Sequence, residues 1–270
     1  MRKLLCSTYK LVYAIMQVTR KRILTAVANL ICIAAQLVIT YLMTNVIPMP
    51  DFLYDPSDER FMGKYPKPEP LYEMILTLWV IPLVWLSIIH LALVRWQPVK
   101  TATVILAWFQ TVVLTIFITG LFRYFLPEPR PFFTTICRPK VRYQGYLFEN
   151  NMCSAEFERR DIQSFPSGHS SSVVSSWVFV ILVGLFGSGT FRKGHHSNSL
   201  YKMTLFLLPA LVVPIYVCSE RIRSGNHTWY QVLFGSLIGI GVAFLVFYSM
   251  DRSAMTHSPR SAETDLEAQR

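Results

Sequence analysis

Histidine and arginine side chains stand together in three short polar clusters of this 270-residue chain. The first cluster holds Arg123 and Arg130, the second holds His169, and the third holds Arg221 and His227. Arginine carries a permanent charge on a planar group that binds phosphate oxygens two at a time. Histidine titrates near neutral pH, so an imidazole can carry a proton to the leaving oxygen of a phosphate ester. Such a set can hydrolyse a phosphate ester with fixed charges and without a metal ion.

The second cluster stands where a helix is predicted to begin. Its sequence is Pro-Ser-Gly-His, ending at His169, and a long apolar run follows. The unpaired N–H groups and the positive dipole end of a helix N-terminus suit an anion. Ser167 and the backbone N–H of Gly168 could complete a phosphate cradle there. A serine-rich helix cap beside a polar loop explains the same residues equally well, so this stretch alone assigns no function.

The three clusters resemble the signature of the type 2 phosphatidic acid phosphatases, also called lipid phosphate phosphatases. The family pattern is Lys-x6-Arg-Pro, then Pro-Ser-Gly-His, then Ser-Arg-x5-His-x3-Asp. Order and internal spacing agree in this chain, and the resemblance covers roughly residues 24 to 250. The matching residues are Arg130, Pro131, Pro166, Ser167, Gly168, His169, Arg221 and His227. Three residues depart from the pattern, because Arg123 replaces Lys, Glu220 replaces Ser and Gln231 replaces Asp.

The resemblance implies a role for each of these residues. It assigns His227 as the nucleophile, which forms a phosphohistidine that water then hydrolyses, and His169 as the acid that protonates the departing alcohol. It places Gln231 where the family has the carboxylate that orients the nucleophile. The residues that it implies bind the phosphate are Arg123, Arg130, Ser167, Gly168 and Arg221. It implies no metal ion and no other cofactor.

The three departures bear on the rate. Arg123 keeps the charge of Lys but changes its geometry. Glu220 could orient the neighbouring Arg221, repel the substrate, or stand in for the missing carboxylate. Gln231 can still accept a hydrogen bond from His227, but it adds no negative charge. By analogy with other histidine–carboxylate pairs, that loss could cost several powers of ten in rate.

Long apolar stretches dominate the chain, since 52% of its residues are hydrophobic and 16% are charged. Six stretches approach the roughly 20 residues that a membrane-spanning helix needs. They lie at about 24–47, 73–94, 102–122, 169–187, 202–218 and 232–249. We therefore predict an all-α, polytopic membrane protein with six transmembrane helices, similar to the core bundle of the phosphatase family. The net charge of +10 fits basic loops beside the spans. Without a basic stripe or a nucleic-acid motif, no nucleic-acid partner is expected.

The spans divide the chain into three predicted segments. Residues 1–23 form a cytoplasmic amphipathic segment, residues 24–250 form the six-helix membrane domain, and residues 251–270 form a disordered cytoplasmic tail. The basic cluster before the first span predicts that both ends are cytoplasmic. An even number of spans separates the three polar clusters, so all of them emerge on one face of the membrane. With this orientation, that face is extracytoplasmic or lumenal, in the plasma membrane or an endomembrane.

Cys137 and Cys153 lie in the long loop on that face, with fifteen residues between them. A disulfide would restrain the loop by about 3 kcal/mol in the chain-entropy model, and two reduced thiols are the alternative. Asn226 opens a glycosylation sequon inside the third cluster, where a glycan would block the site. We interpret that sequon as a chance match.

The resemblance and the topology together predict an integral membrane phosphatase for lipid phosphates such as phosphatidate or lysophosphatidate. Its expected partners are the lipid phosphate substrate and membrane lipids, and a homo-oligomer stays open. One alternative is a catalytically weak or inactive relative that binds phospholipid headgroups or partner proteins, with Gln231 and Glu220 as its signs. A second alternative, a transporter, does not explain the spacing of the histidines.

Overall fold

The computed structural model describes residues 23–50, 53–64, 75–94, 98–140, 146–147, 153–187 and 199–250. The predicted N-terminal segment (apart from Ile23) and the predicted C-terminal tail lie outside these residues. The described helices are α1 (Ile23–Val46), α2 (Ile81–Val94), α3 (Pro98–Phe125), α4 (Phe133–Cys137), α5 (Gly168–Gly187), α6 (Ser199–Arg223) and α7 (Trp229–Ser249). A π-helical turn, Leu76–Val80, leads into α2. One short antiparallel ladder pairs β1 (Leu53–Tyr54) with β2 (Tyr146–Leu147).

Four of these helices are long and apolar enough to cross a membrane, namely α1, α3, α5 and α7. A shorter apolar helix, Leu76–Ile89, and the 25-residue α6 occupy the positions of the two remaining predicted spans. The predicted all-α polytopic membrane fold is therefore confirmed. The number of six spans stays a prediction.

Helix α5 forms the centre of the bundle and packs against α2, α3, α6 and α7. Its inward side chains, including Val173, Trp177 and Val180, are almost fully buried in the main core. Its contact with α7 is especially close at two glycines. A Cβ at Gly235 would lie 2.5 Å from the carbonyl oxygen of Ser167, the residue just before α5. A Cβ at Gly239 would lie 2.4 Å from the carbonyl oxygen of Ser171, in the first turn of α5. Glycine therefore lets the two backbones meet, as small residues do between membrane helices.

The loop after α3 and residues 53–64, which follow α1, fold together into a small ordered layer. We call this layer the cap (residues 53–64 and the described part of 128–164). Its core contains Tyr54, Phe61, Phe133 and Ile162. The Tyr54 hydroxyl lies 2.8 Å from Thr134 Oγ1. Residues 53–64, which follow α1, thus support the loop that follows α3, a role that their sequence did not suggest.

A disulfide joins Cys137 to Cys153 inside the cap. The sequence left this pairing open, and the structure resolves it. Both sulfurs belong to the buried cap core, beside Phe133 and Ile162. The bond therefore ties the short helix α4 to the segment that leads back towards α5.

Backbone hydrogen bonds place the cap over the start of α5. The Arg130 N–H donates to the Asp161 carbonyl at 2.8 Å, and the Ser164 N–H donates to the Glu128 carbonyl at 2.8 Å. These bonds pair residues 128–130, at the end of the first polar cluster, with residues 161–164, just before the second cluster. The loop between the clusters therefore begins and ends at the same place, beside the N-terminus of α5. The cap thereby fixes the backbone of Arg130 beside the N-terminus of α5.

Candidate active site

The first and second polar clusters meet at the N-terminus of α5. Arg123, on the last turns of α3, donates from Nε to the Pro166 carbonyl at 3.1 Å. A Cβ at Gly168 would lie only 2.7 Å from Nη2 of Arg123. Gly168 is therefore required so that the guanidinium can lie against the helix start.

Arg130 joins the first cluster to the third. Its Nη1 donates to Asn226 Oδ1 at 3.2 Å, and its Nε donates to the Arg160 carbonyl at 3.2 Å. The Asp161 carboxylate lies 3.9 Å from the same Nε. Asn226 is itself buried and donates to Ser224 Oγ at 2.9 Å. Its side chain thus positions Arg130, which gives the residue of the sequon a structural role.

Arg221 completes a group of three guanidiniums around His169. It lies at the C-terminal end of α6 and is buried. Arg123, Arg130 and His169 line one cavity, and Arg130 is hydrogen-bonded to Asn226 of the third cluster. The charge of Arg221 also acts on the His169 ring. The three polar clusters, which are far apart in the sequence, therefore meet in one place.

His227 lies between α6 and α7 and makes its hydrogen bonds through one ring nitrogen. Its Nδ1 lies 3.2 Å from Gln231 Oε1 and 3.1 Å from Ser164 Oγ. The Gln231 amide is oriented by the Thr228 N–H, which donates to Oε1 at 3.1 Å. The Ser164 hydroxyl also donates to this oxygen, at 2.9 Å. With two acceptors at Nδ1, the proton belongs on Nδ1, and Nε2 keeps a free lone pair.

Burial lowers the pKa of His227 well below its usual value. The positive charges of Arg130 and Arg123 act in the same direction, while the hydrogen bond with Gln231 opposes them. The imidazole is therefore neutral at neutral pH, which is the state that a nucleophile requires.

Ser167 is fully buried at the start of α5. Its oxygen accepts hydrogen bonds from the Ser170 N–H at 3.4 Å and from the Ser170 hydroxyl at 3.0 Å, so it caps the helix as the plainer interpretation predicted. A hydroxyl that accepts hydrogen bonds keeps its own proton to donate, and the phosphate role stays a prediction.

A cavity of about 520 Å³ opens beside these groups. Of the predicted site residues, Arg123, Arg130, Gly168 and His169 line it. The other four do not line it, and all of them are buried: Ser167 (0% exposed), Arg221 (8%), His227 (3%) and Gln231 (0%). Gly168, His169 and two arginines therefore face the cavity, whereas the other four predicted residues do not.

Glu220 has a partner that the sequence analysis did not consider. Its carboxylate pairs with Arg223 at 2.6 Å, one helical turn further along α6, and the Arg223 side chain is largely exposed. The acceptors found at Nδ1 of His227 are Gln231 and Ser164. Within the part of the chain that the structure describes, no group of three or more His, Cys, Asp or Glu side chains could hold a metal ion.

Sequence reasoning missed two residues of this site, Ser164 and Asn226. Ser164 stands two residues before the motif that begins at Pro166, and Asn226 belongs to the sequon interpreted as a chance match. Both are polar side chains directly next to or near a motif histidine, which is the one signal that could have indicated them.

The fold and the site define a helical membrane protein in which two histidines and three arginines meet where α3 and α6 end and α5 begins. Residues 102–255 match the PAP2 superfamily, and the chain belongs to that family. It is 32% identical over 154 residues to phospholipid phosphatase 1 of Rattus norvegicus, covering 55% of this chain and 52% of the relative.

Two further relatives extend the similarity. A PA-phosphatase related-family protein of Dictyostelium discoideum is 26% identical, over 83% of this chain and 63% of that protein. Lipid phosphate phosphatase 2 of Arabidopsis thaliana is 26% identical, over 64% of this chain and 61% of that protein. The chain thus spans between half and two thirds of the length of these relatives. No solved structure matches it.

Proposed function

We propose that this protein is an integral membrane phosphatase that hydrolyses lipid phosphomonoesters without a metal ion, through a phosphohistidine. The observation that carries the proposal is the meeting of Arg123, Arg130 and Arg221 around His169. His227 lies near them, and the hydrogen bond from its Nδ1 to Gln231 fixes its ring. The names of the relatives, which include a phospholipid phosphatase and a lipid phosphate phosphatase, support it.

In the first step, Nε2 of His227 attacks the phosphorus atom and forms a P–N bond. The P–O bond to the lipid alcohol breaks, and His169, which takes up a proton when the phosphate dianion is bound beside it, gives that proton to the departing oxygen. The three guanidiniums hold the equatorial oxygens, where charge is concentrated during the transfer. Nδ1 of His227 keeps its proton throughout, and the acceptors Gln231 and Ser164 stabilise the positive charge that develops on the ring.

In the second step, water replaces His227 at phosphorus. His169, which is now neutral, takes a proton from the attacking water, and the P–N bond breaks. Inorganic phosphate leaves, and both imidazoles return to their starting protonation states. No atom other than those of the ester and one water is consumed.

We place this reaction at the extracytoplasmic or lumenal surface, in line with the predicted orientation. The site lies at the end of α3, the start of α5 and the end of α6, between the spans and the cap. A lipid headgroup can reach that level while its acyl chains stay in the hydrocarbon layer.

The test is hydrolysis by the purified full-length chain in detergent, with a chelator present and a panel of lipid phosphates as substrates. Release of phosphate from lipid phosphates under these conditions is expected. If no substrate releases phosphate although lipid phosphates still bind, the protein is a headgroup-binding relative instead, as the uncharged Gln231 would then explain.

We expect Gln231→Glu to raise turnover by about 10-fold or more, because the reverse change in a histidine–carboxylate pair costs far more than that. Glu has the shape of Gln, so its oxygen can keep all three hydrogen bonds to Oε1. The new charge would stabilise the imidazolium that forms on attack. Nε2 of Gln231 is buried without a hydrogen-bond partner, and the substitution removes this unsatisfied donor.

The pH profile gives a second measurement of the same variant. A carboxylate beside His227 raises the pKa of that ring, so activity should be lost at a higher pH than in the wild type as the solution is acidified. Gln231→Asp, which restores the carboxylate of the family pattern, is the companion variant, and it should raise turnover as well. Equal or lower turnover in Gln231→Glu would contradict the role given to this residue.

We expect Ser164→Ala to lower kcat by about 10-fold and to leave KM nearly unchanged, since it removes one of the two acceptors of the His227 proton. Ser164 is fully buried and touches both His227 and Gln231, so it acts on the nucleophile and not on the substrate.

The double variant Ser164→Ala, Gln231→Glu separates this role from a merely structural one. With a carboxylate at position 231, the serine acceptor matters less, and its removal should cost less than in the wild type. Thermal unfolding in detergent, measured alongside, shows whether the fold is kept. An equal loss in both backgrounds would mean that Ser164 only supports the packing.

A further inference from the structure

The cavity is much larger than a phosphate group. Its volume of about 520 Å³ lies within the range of sites that enclose a whole small ligand. Arg123, Arg130 and His169 supply part of its lining. The remaining space can receive the part of the substrate next to the phosphate ester, so the other lining residues bear on which lipids bind.

The end of α1 forms part of the wall that the phosphate residues do not supply. Thr40, Thr44 and Asn45 line the cavity there. This helix lies before the region that matches the family, which begins at residue 102. Arg159 of the cap holds the helix end in place, because its Nη2 donates to the Met43 carbonyl at 3.0 Å and also to the Ile47 carbonyl.

The amide of Asn45 has a fixed orientation. Its Nδ2 donates to the Tyr41 carbonyl at 3.1 Å and to Thr44 Oγ1 at 2.8 Å. A carbonyl oxygen can only accept, so the amide nitrogen must be the atom that faces Tyr41. Oδ1 then points away from these partners, and among the described residues no hydrogen bond to it is found. Asn45 therefore offers the cavity an acceptor.

The neighbouring polar groups that line the cavity have partners of their own. The Glu158 carboxylate is paired with Arg160 at 2.7 Å. The Thr44 hydroxyl donates to the Thr40 carbonyl at 2.8 Å. The uncharged oxygen of Asn45 is thus a cavity-lining acceptor to which none of the described donors is hydrogen-bonded.

We propose that Asn45 at the end of α1 selects lipid phosphates that carry a free hydroxyl or ammonium group next to the phosphate ester. This inference rests on the proposed function. Lysophosphatidate and sphingoid-base phosphates have such a donor, whereas phosphatidate has esterified both of its other hydroxyls. The arginines bind the phosphate of either class, and Oδ1 of Asn45 adds a hydrogen bond only with the first.

The test compares kcat/KM of the wild type and Asn45→Ala for lysophosphatidate and for phosphatidate. The variant should lose about 3- to 10-fold on lysophosphatidate, the size of one neutral hydrogen bond, and change little on phosphatidate. Val46→Ala is the matched control, since Val46 is the next residue of the same helix, is exposed, and does not line the cavity.

A change in the substrate tests the same contact without relying on the fold of a variant. Lysophosphatidate whose free hydroxyl is methylated should lose the same factor with the wild type, and Asn45→Ala should have no further effect on it. Equal losses of Asn45→Ala on both lipids, or none on either, would overturn the inference while the phosphatase activity stands. A wild type that hydrolyses no lipid phosphate would instead overturn the proposed function.

Discussion

His227→Ala is expected to reduce phosphate release from every lipid phosphate by at least about 10⁴-fold, the order of loss found when a catalytic nucleophile is removed. The variant has no Nε2, so no P–N bond can form. The arginines that hold the phosphate are unchanged, and binding should persist. Release of phosphate and retention of a labelled phosphoryl group on the protein are the two measurements.

The label distinguishes the mechanism from other routes. Phosphohistidine is stable in base and labile in acid, so the wild type quenched during turnover in base should carry a label that acid removes. His227→Ala should carry none, although inorganic phosphate should still raise its unfolding temperature in detergent. An active His227→Ala variant, or a label that persists in it, would exclude His227 as the nucleophile.

The resemblance to the family predicted the pairing of His227 with residue 231, because the family has its orienting carboxylate there. Helix geometry does not account for this pairing, since Thr228 caps α7 in an extended conformation and His227 lies before that cap. Helix geometry does account for the ion pair of Glu220 with Arg223, which stands three residues further along α6. The spacing therefore contained this partner of Glu220, whereas the motif drew attention to its neighbour Arg221.

The parts of the site that the sequence did not predict all depend on contacts between distant segments. Ser164 reaches His227 across 63 positions, and Arg130 reaches Asn226 across 96. Both contacts exist because the cap returns the chain to the N-terminus of α5, and hydrophobic periodicity carries no information on that path. The apolar blocks predict which elements are helices, whereas the cap is held by a disulfide, a few aromatic residues and backbone hydrogen bonds.

His169→Ala is expected to lower hydrolysis of lipid phosphates by about 10²- to 10⁴-fold, the usual contribution of a general acid. The size of the loss should depend on the leaving group. An alkoxide leaves poorly without a proton, whereas the phenolate of p-nitrophenyl phosphate needs none. Attack by His227 on that ester should therefore be nearly as fast in the variant as in the wild type.

The second step gives this prediction its sharpest form, because the same residue must then accept a proton from water. In His169→Ala the phosphohistidine should form from p-nitrophenyl phosphate and then hydrolyse slowly. Rapid mixing would show a burst of about one nitrophenolate per protein followed by slow turnover, the kinetic sign of an accumulating covalent intermediate. If His169 only bound the phosphate among the three guanidiniums, lipid phosphates and p-nitrophenyl phosphate would lose activity equally and no burst would appear.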